Sequence, residues 1–210
     1  MTLYLILITA AFSIYAFSKA SVVDRFDFNP TRILQHREVY RLLTNGFLHA
    51  DWLHLALNMF VLLNFGPLVE AHYKSIDQAN GGQWYLVMYC SAIVASILPT
   101  LIQQKRNPNY HGLGASGAVS AVLFSSVLFR PMDKLCFIFG LCLPGILMGV
   151  GYLLYSYYAA RKSNDHINHD AHFWGALYGI LFSLMLHPNI GVDFIRQLQE
   201  AGFSGFLPGN

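Results

Sequence analysis

The sequence predicts an all-α, polytopic membrane protein: one bundle of six transmembrane helices, with a short central fourth helix and a long first loop. Three observations carry this. The 210 residues are 55% hydrophobic and only 11% charged, where soluble domains carry about 25% charged residues. The charges cluster, leaving uncharged runs over 2–18, 52–69, 78–104, 107–129, 135–160 and 171–192. Each run is close to or beyond the ~20 residues needed to cross a hydrocarbon core of ~30 Å. No repeat, low-complexity tract or soluble block interrupts them, so residues 1–210 read as a single membrane domain.

The elements follow in order. The first helix covers about 2–18. No basic segment precedes it, since Met1-Thr2 leads straight into Leu3, and five further spans follow; it reads as a retained helix and not a cleaved signal. The polar loop Lys19–Asp51 is too long for a passive connector. It contains Phe26, Phe28, Phe47 and Leu48, and is expected to pack on or in the interface. The second, third, fifth and sixth helices are expected at about 52–71, 84–103, 135–160 and 171–187. The fourth differs: after "KRNPNYHGLG" its regular part runs only over 116–129, roughly 21 Å at 1.5 Å per residue. Its start must lie below the membrane surface, under irregular glycine-rich backbone. Such backbone is tolerated at depth only where protein buries it or it lines a water-filled cavity, so a cavity with Ser116 at its floor is expected.

Two function classes receive no support. The three cysteines, Cys90, Cys136 and Cys142, lie inside apolar runs and read as packing residues, with no disulfide or metal framework. A net charge of +2 gives no reason to expect a nucleic-acid partner.

If successive helices alternate direction, the second, fourth and sixth all start at one face. His54 falls in the first turn of the second, with Asn58 one turn deeper on the same side. Ser116 opens the fourth, and His172 lies in the first turn of the sixth. A serine hydroxyl needs a base to take its proton, and histidine is the usual one. Acyl transfer also needs donors for a developing oxyanion. The Ser116 N–H, at the positive end of a helix, is one; the His54 ring and Asn58 amide can supply others. Asp170 is two residues before His172 and faces another side, so a Ser–His dyad is favoured over a triad. Gly175 and Gly179 give the sixth helix a GxxxG face for close contact, with Gly117 and Ser120 as small counterparts.

Blander readings account for the parts separately. A lone histidine at a membrane edge is often structural, Asn58 could be interhelical glue, and GASG could serve packing alone. A haem or metal protein would have to use some of the nine histidines, yet no HExxH or thiolate motif occurs. A transporter lines its pathway with polar groups but has no use for a serine–histidine pair with oxyanion donors.

Three motifs resemble the rhomboid family of intramembrane serine proteases, over nearly the whole chain. "GASG" (Gly114–Gly117) is similar to its GxSG motif, with Ser116 as nucleophile. "HADWLHLALNM" is similar to HxxxxHxxxN, giving His49, His54 and Asn58. "AHFWGALYG" is similar to AHxxGxxxG, giving His172 as base with Gly175 and Gly179. "YRLLT" resembles the WR segment of the family's first loop, with Tyr40 for Trp and Arg41 kept, and "GPLVE" resembles GxxxE, giving Gly66 and Glu70 as structural residues. One position departs: bacterial members often carry an aromatic four residues after the nucleophile, stacked on the base. Here that position is Ser120, so Phe173 or Trp174 is expected to pack on His172 instead.

The resemblance implies an endopeptidase that needs no cofactor or metal and cleaves transmembrane segments of other membrane proteins. The alternative it leaves is a catalytically inactive relative that binds such clients. Substrate entry is expected beside the fifth helix, through "PGILMGVG" (Pro144–Gly151), with "RKSNDHINHD" (Arg161–Asp170) capping the site. The location expected is a bacterial cytoplasmic membrane, the site opening outward. Against that orientation, nine of the 13 basic residues fall on the face of the site, which the positive-inside rule would put in the cytoplasm. Internal pairing with Asp24, Asp27, Glu38 and Asp51 is expected to offset this.

Overall fold

The computed structural model describes residues 1–136, 142–162 and 168–202; these are helical apart from connecting turns and one small hairpin. In α1 (Thr2–Phe17) the buried residues Thr2, Leu5, Thr9, Ser13 and Ala16 recur every three or four positions. One narrow face of small and hydroxyl side chains therefore packs inward. The segment after α1 folds into α2 (Ala20–Phe26), α3 (Pro30–Gln35) and α4 (Arg41–Thr44), then a 3₁₀ turn, Asn45–Phe47.

Two long helices follow, α5 (Trp52–Ile76) and α6 (Gly81–Gln103), both long and apolar enough to cross a membrane. The Asp51 carboxylate caps α5 by accepting the His54 N–H at 2.8 Å. Both helices outrun the apolar stretches 52–71 and 84–103, because a helix need not end where its hydrophobic run meets water. Glu70 fastens the far end of α5 to α1, accepting the Thr2 N–H at 2.9 Å and the Thr2 hydroxyl at 3.0 Å. A Cβ on Gly66, one turn earlier, would meet the Thr2 side chain at 2.5 Å, so GxxxE is a helix-packing device here.

The centre of the bundle is α7 (Ser116–Phe129), packed against α5, α6 and α9 (His169–Leu186), with α8 (Gly145–Lys162) beside α7 and α9. Apart from Ser116 and Leu123, every residue of α7 is buried. An all-round apolar helix has no solvent face and belongs at a core.

The expected fifth helix over 135–160 needs correction. Its first part is a hairpin in which β1 (Lys134–Cys136) pairs antiparallel with β2 (Cys142–Pro144), Leu135 opposite Leu143; only then does α8 begin. Pro144 disfavours helix in the residue before it, and a short apolar run such as "KLCFIFGLCLP" does not by periodicity distinguish strand from helix. The cysteine reading changes with it: Cys142 is disulfide-bonded. Cys90 is free.

α9 starts at His169, ahead of the predicted 171, because Asn168 accepts the Ala171 N–H at 3.0 Å as its N-cap. After Leu186 the chain turns by 111° into α10 (Asn189–Glu200), which has no counterpart in the six expected spans. Ile190 and Phe194 of α10 face the core, and the Gln197 amide donates to the Phe129 carbonyl at 3.0 Å. Taken together, α9 and α10 qualify as a third candidate span; α1 and α7 are apolar but shorter. The described residues thus form a helical membrane-protein bundle.

Candidate active site

The approach to Ser116 is irregular backbone, and its hydrogen bonds go to the first loop. Phe28 and Gly112 exchange both backbone bonds at 2.9 Å, and the Gly114 N–H donates to the Asn45 carbonyl at 3.1 Å. The requirement that deep non-helical backbone be satisfied by protein is met here by the loop segment. Gly114 has φ +129°, open to glycine alone, and a Cβ there would also meet the His54 ring at 2.7 Å. His54 therefore lies against the residue two before Ser116.

Arg41 holds this loop together. It is 1% exposed, and its guanidinium pairs with Asp27 and Glu38 and donates to the Asp24 and Asp27 carbonyls at 2.8 and 3.0 Å. The hydrogen bond from Arg41 holds the Glu38 carboxyl below its ordinary range. The other Asp27 oxygen meets the His111 ring, so one buried carboxylate ties the loop both to Arg41 and to the strand of chain entering α7. Arg32 pairs with Asp24 at 3.1 Å. Asp51 pairs with no arginine among the described residues; it caps α5.

His49 lies beneath the loop. The Ser13 hydroxyl donates to the Phe47 carbonyl at 2.8 Å, so the His49 Nδ1, 2.9 Å from the Ser13 Oγ, donates to that hydroxyl oxygen. Burial pushes the His49 pKa down to about 3, with a further lowering from His54. Its ring meets His54 edge-on at 4.9 Å. His49 thus orients His54 as a neutral ring. The buried Asn58 amide donates one N–H to the His54 carbonyl at 2.9 Å.

α7 and α9 meet backbone to backbone. A Cβ on Gly175 would lie 2.1 Å from the Gly117 carbonyl oxygen, and one on Gly179 would lie 2.2 Å from that of Ala121. A Cβ on Gly117 would be 2.1 Å from the Ser96 Oγ of α6 and 3.3 Å from the Ala171 carbonyl. Ser116 therefore adjoins the first turn of α9, where His172 follows Ala171. Ser116, His54 and His172 are each partly exposed, although their neighbours Ala115, Gly117, Leu55 and Ala171 are buried.

A family model of the Rhomboid domain matches residues 36–189. The chain belongs to the rhomboid family. Rhomboid-like protein 11, chloroplastic, of Arabidopsis thaliana is 28% identical to this rhomboid over 168 residues, 73% of this chain and 55% of that protein. RHOMBOID-like protein 6, mitochondrial, of the same plant is 29% identical over 182 residues, 81% and 52%. Presenilin-associated rhomboid-like protein, mitochondrial, of Homo sapiens is 30% identical over 147 residues, 67% and 36%. This rhomboid spans about half or less of the length of these relatives. They are organellar proteins by name, which lends nothing to a bacterial inner-membrane location.

One expectation about the base fails. Phe173 packs on Tyr157 and Trp174, and Trp174 is 40% exposed; neither is stacked on His172. The ring stacked on His172 is that of Tyr152 in α8, with centroids 6.0 Å apart and planes 22° from parallel. His169 meets the His172 ring edge-on at 5.8 Å. Sequence reasoning missed Tyr152, Ser96, His111 and the Asn168 cap. Only Asn168, as a helix-capping residue type before an apolar run, left a signal that could have been read. A cavity of about 460 Å³ lies between the end of α1, the first loop and residues 111–113, bordered by Asp27, His49 and Leu113. It flanks the entry to α7; Ser116 and His172 are not among its lining residues.

Proposed function

We propose that this rhomboid is an intramembrane serine endopeptidase acting on transmembrane segments of other membrane proteins. In this reading Ser116 is the nucleophile and His172 the base. The observation that carries it is the contact of Gly117 with Gly175 and with the Ala171 carbonyl, because it brings the starts of α7 and α9 together. The imidazole takes the serine proton as the hydroxyl attacks a peptide carbonyl and returns it to the leaving amine as the C–N bond breaks; water, deprotonated by the same imidazole, then cleaves the acyl-serine and the serine regains its proton. The oxyanion is stabilised by the Ser116 N–H at the positive end of α7, by the His54 ring, and by the second N–H of the Asn58 amide. His49 holds His54, Arg41 holds the loop, and Gly114, Gly175, Gly179 and Glu70 hold the helices.

On this reading α1, α5, α6, α7, α8 and α9 are the six spans, and the substrate enters from the lipid beside α8. The residues of the proposed cap, 163–167, lie outside the described part of the chain. The outward-facing orientation rests on the family resemblance; the pairing of Arg41 and Arg32 with loop carboxylates leaves the count of nine basic residues on this face unchanged.

The second reading, an inactive relative that binds membrane clients, predicts no reaction with an active-serine reagent. Treatment of the membrane-embedded protein with a fluorophosphonate decides between them. Labelling is expected in the wild type and lost in Ser116→Ala and His172→Ala. Labelling that survives Ser116→Ala defeats the nucleophile assignment, and an unlabelled wild type favours the inactive reading.

A further inference from the structure

Tyr152 sits in α8, outside every motif that led to the site, and touches three of its parts. Its ring stacks on His172 in the offset, near-parallel geometry favoured by aromatic pairs. Its hydroxyl is 3.0 Å from the Ser120 Oγ. Its ring also rests on Phe124 of α7, at 5.8 Å and 42°. Approach on this side is close because Gly149, three residues earlier, lies against Phe124; a Cβ there would meet that ring at 3.3 Å.

We propose that Tyr152 is a positioning residue for His172, supplied by α8 in place of an aromatic side chain on α7. The proposal rests on the reading of Ser116 and His172 as a dyad. The stack fixes the plane of the imidazole, so that rotation about its side-chain bonds cannot turn its basic nitrogen from the serine. The Ser120 bond and the Phe124 contact fix the tyrosine in turn. Ser120 is small for a reason: an aromatic at that position would enter the volume filled by the Tyr152 ring. His169 meets the His172 ring edge-on, and is itself met by Tyr155 of α8.

A consequence concerns substrate entry. α8 follows the β1–β2 hairpin and packs along α9. Any displacement of α8 that admits a substrate beside it withdraws Tyr152 from His172. The base is then fully seated only when α8 returns, which ties closure of the lipid-facing side to competence for cleavage.

The test measures the fluorophosphonate labelling rate of the full chain in detergent, alongside its melting temperature. Tyr152→Leu is expected to label about three- to tenfold more slowly, the value of one aromatic pair, with its melting temperature close to wild type. Adding Ser120→Tyr to Tyr152→Leu is expected to recover most of the rate, since it returns an aromatic to the base from α7. Tyr152→Phe removes the hydroxyl and Ser120→Ala removes its partner on α7. Each should slow labelling about two- to threefold, with no further loss in combination, because both remove the same bond. This second comparison decides the matter if Tyr152→Leu does not fold. A wild-type rate in Tyr152→Leu, no recovery in the double variant, or independent effects of Tyr152→Phe and Ser120→Ala would each overturn the proposal. An unlabelled wild type overturns the dyad reading and this inference with it.

Discussion

Gly175 lies so close to Gly117 that the carbonyl oxygen of one occupies the space a Cβ on the other would need, 2.1 Å away. No side-chain adjustment relieves this, since the obstructing atom is backbone. Gly175→Ala must therefore push α9 from α7. The expected cost is at the upper end of the roughly 1–3 kcal/mol typical of overpacking. Fluorophosphonate labelling should be lost. Gly191→Ala, whose Cβ would meet only the Leu184 side chain at 3.3 Å, should label normally and melt near the wild-type temperature.

Arg41 and Asp27 are 1% and 2% exposed. Removing the arginine leaves a buried carboxylate without its cation, which typically costs about 3–5 kcal/mol. Arg41→Ala is expected to lose that much by chemical denaturation. Arg41→Lys keeps the charge but cannot donate at once to Glu38, Asp27 and the two carbonyls, so it should fall between Arg41→Ala and wild type.

Acid should destabilise the protein through His49. In the unfolded chain this imidazole takes up a proton below about pH 6.5; buried in the fold it stays neutral down to about 3. Between those values the unfolded state binds more protons, so stability rises with pH across the window and is lost as pH falls through it. The contribution is at most about 1.4 kcal/mol per pH unit. Melting curves from pH 7 to pH 4 should show the decline, and His49→Gln should flatten it. An equally steep decline in His49→Gln would place its origin elsewhere.

Asn168 caps α9 through the Ala171 N–H, and its side chain is also paired with Thr100 of α6, 3.1 Å from amide to hydroxyl. His172 is four residues on, its N–H donating to the Asn168 carbonyl at 3.3 Å. Asn168→Ala is expected to cost about 1 kcal/mol and to slow labelling by fraying the turn that carries His172. Asn168→Asp keeps the cap acceptor and should retain most of the rate.

Membrane character, helical class and family were legible in the sequence. They rest on local facts: uncharged runs of spanning length, and motifs whose residues are fixed distances apart along one chain. The hairpin before α8 was not legible, because an apolar run fits a strand as well as a helix until pairing decides. The disulfide-bonded state of Cys142 went with it, since a cysteine inside an apolar run reads as a packing residue. α10 was missed because its polar face hides it from a search for apolar spans.

The same division runs through the site. Sequence by itself determined which side chains were available: a serine at a helix start, a histidine at another, small residues where helices must touch. Hydrogen-bonding chemistry and helix periodicity suffice for that, being properties of residues and their spacing. Tertiary structure alone decided what holds them. Tyr152 reaches His172 from a different helix, Asp27, paired with Arg41, meets His111 84 positions further along the chain, and Ser13 of α1 orients His49. Such contacts depend on which helices pack together and at what rotation. That packing is a collective outcome of many weak apolar contacts, and no local pattern encodes it.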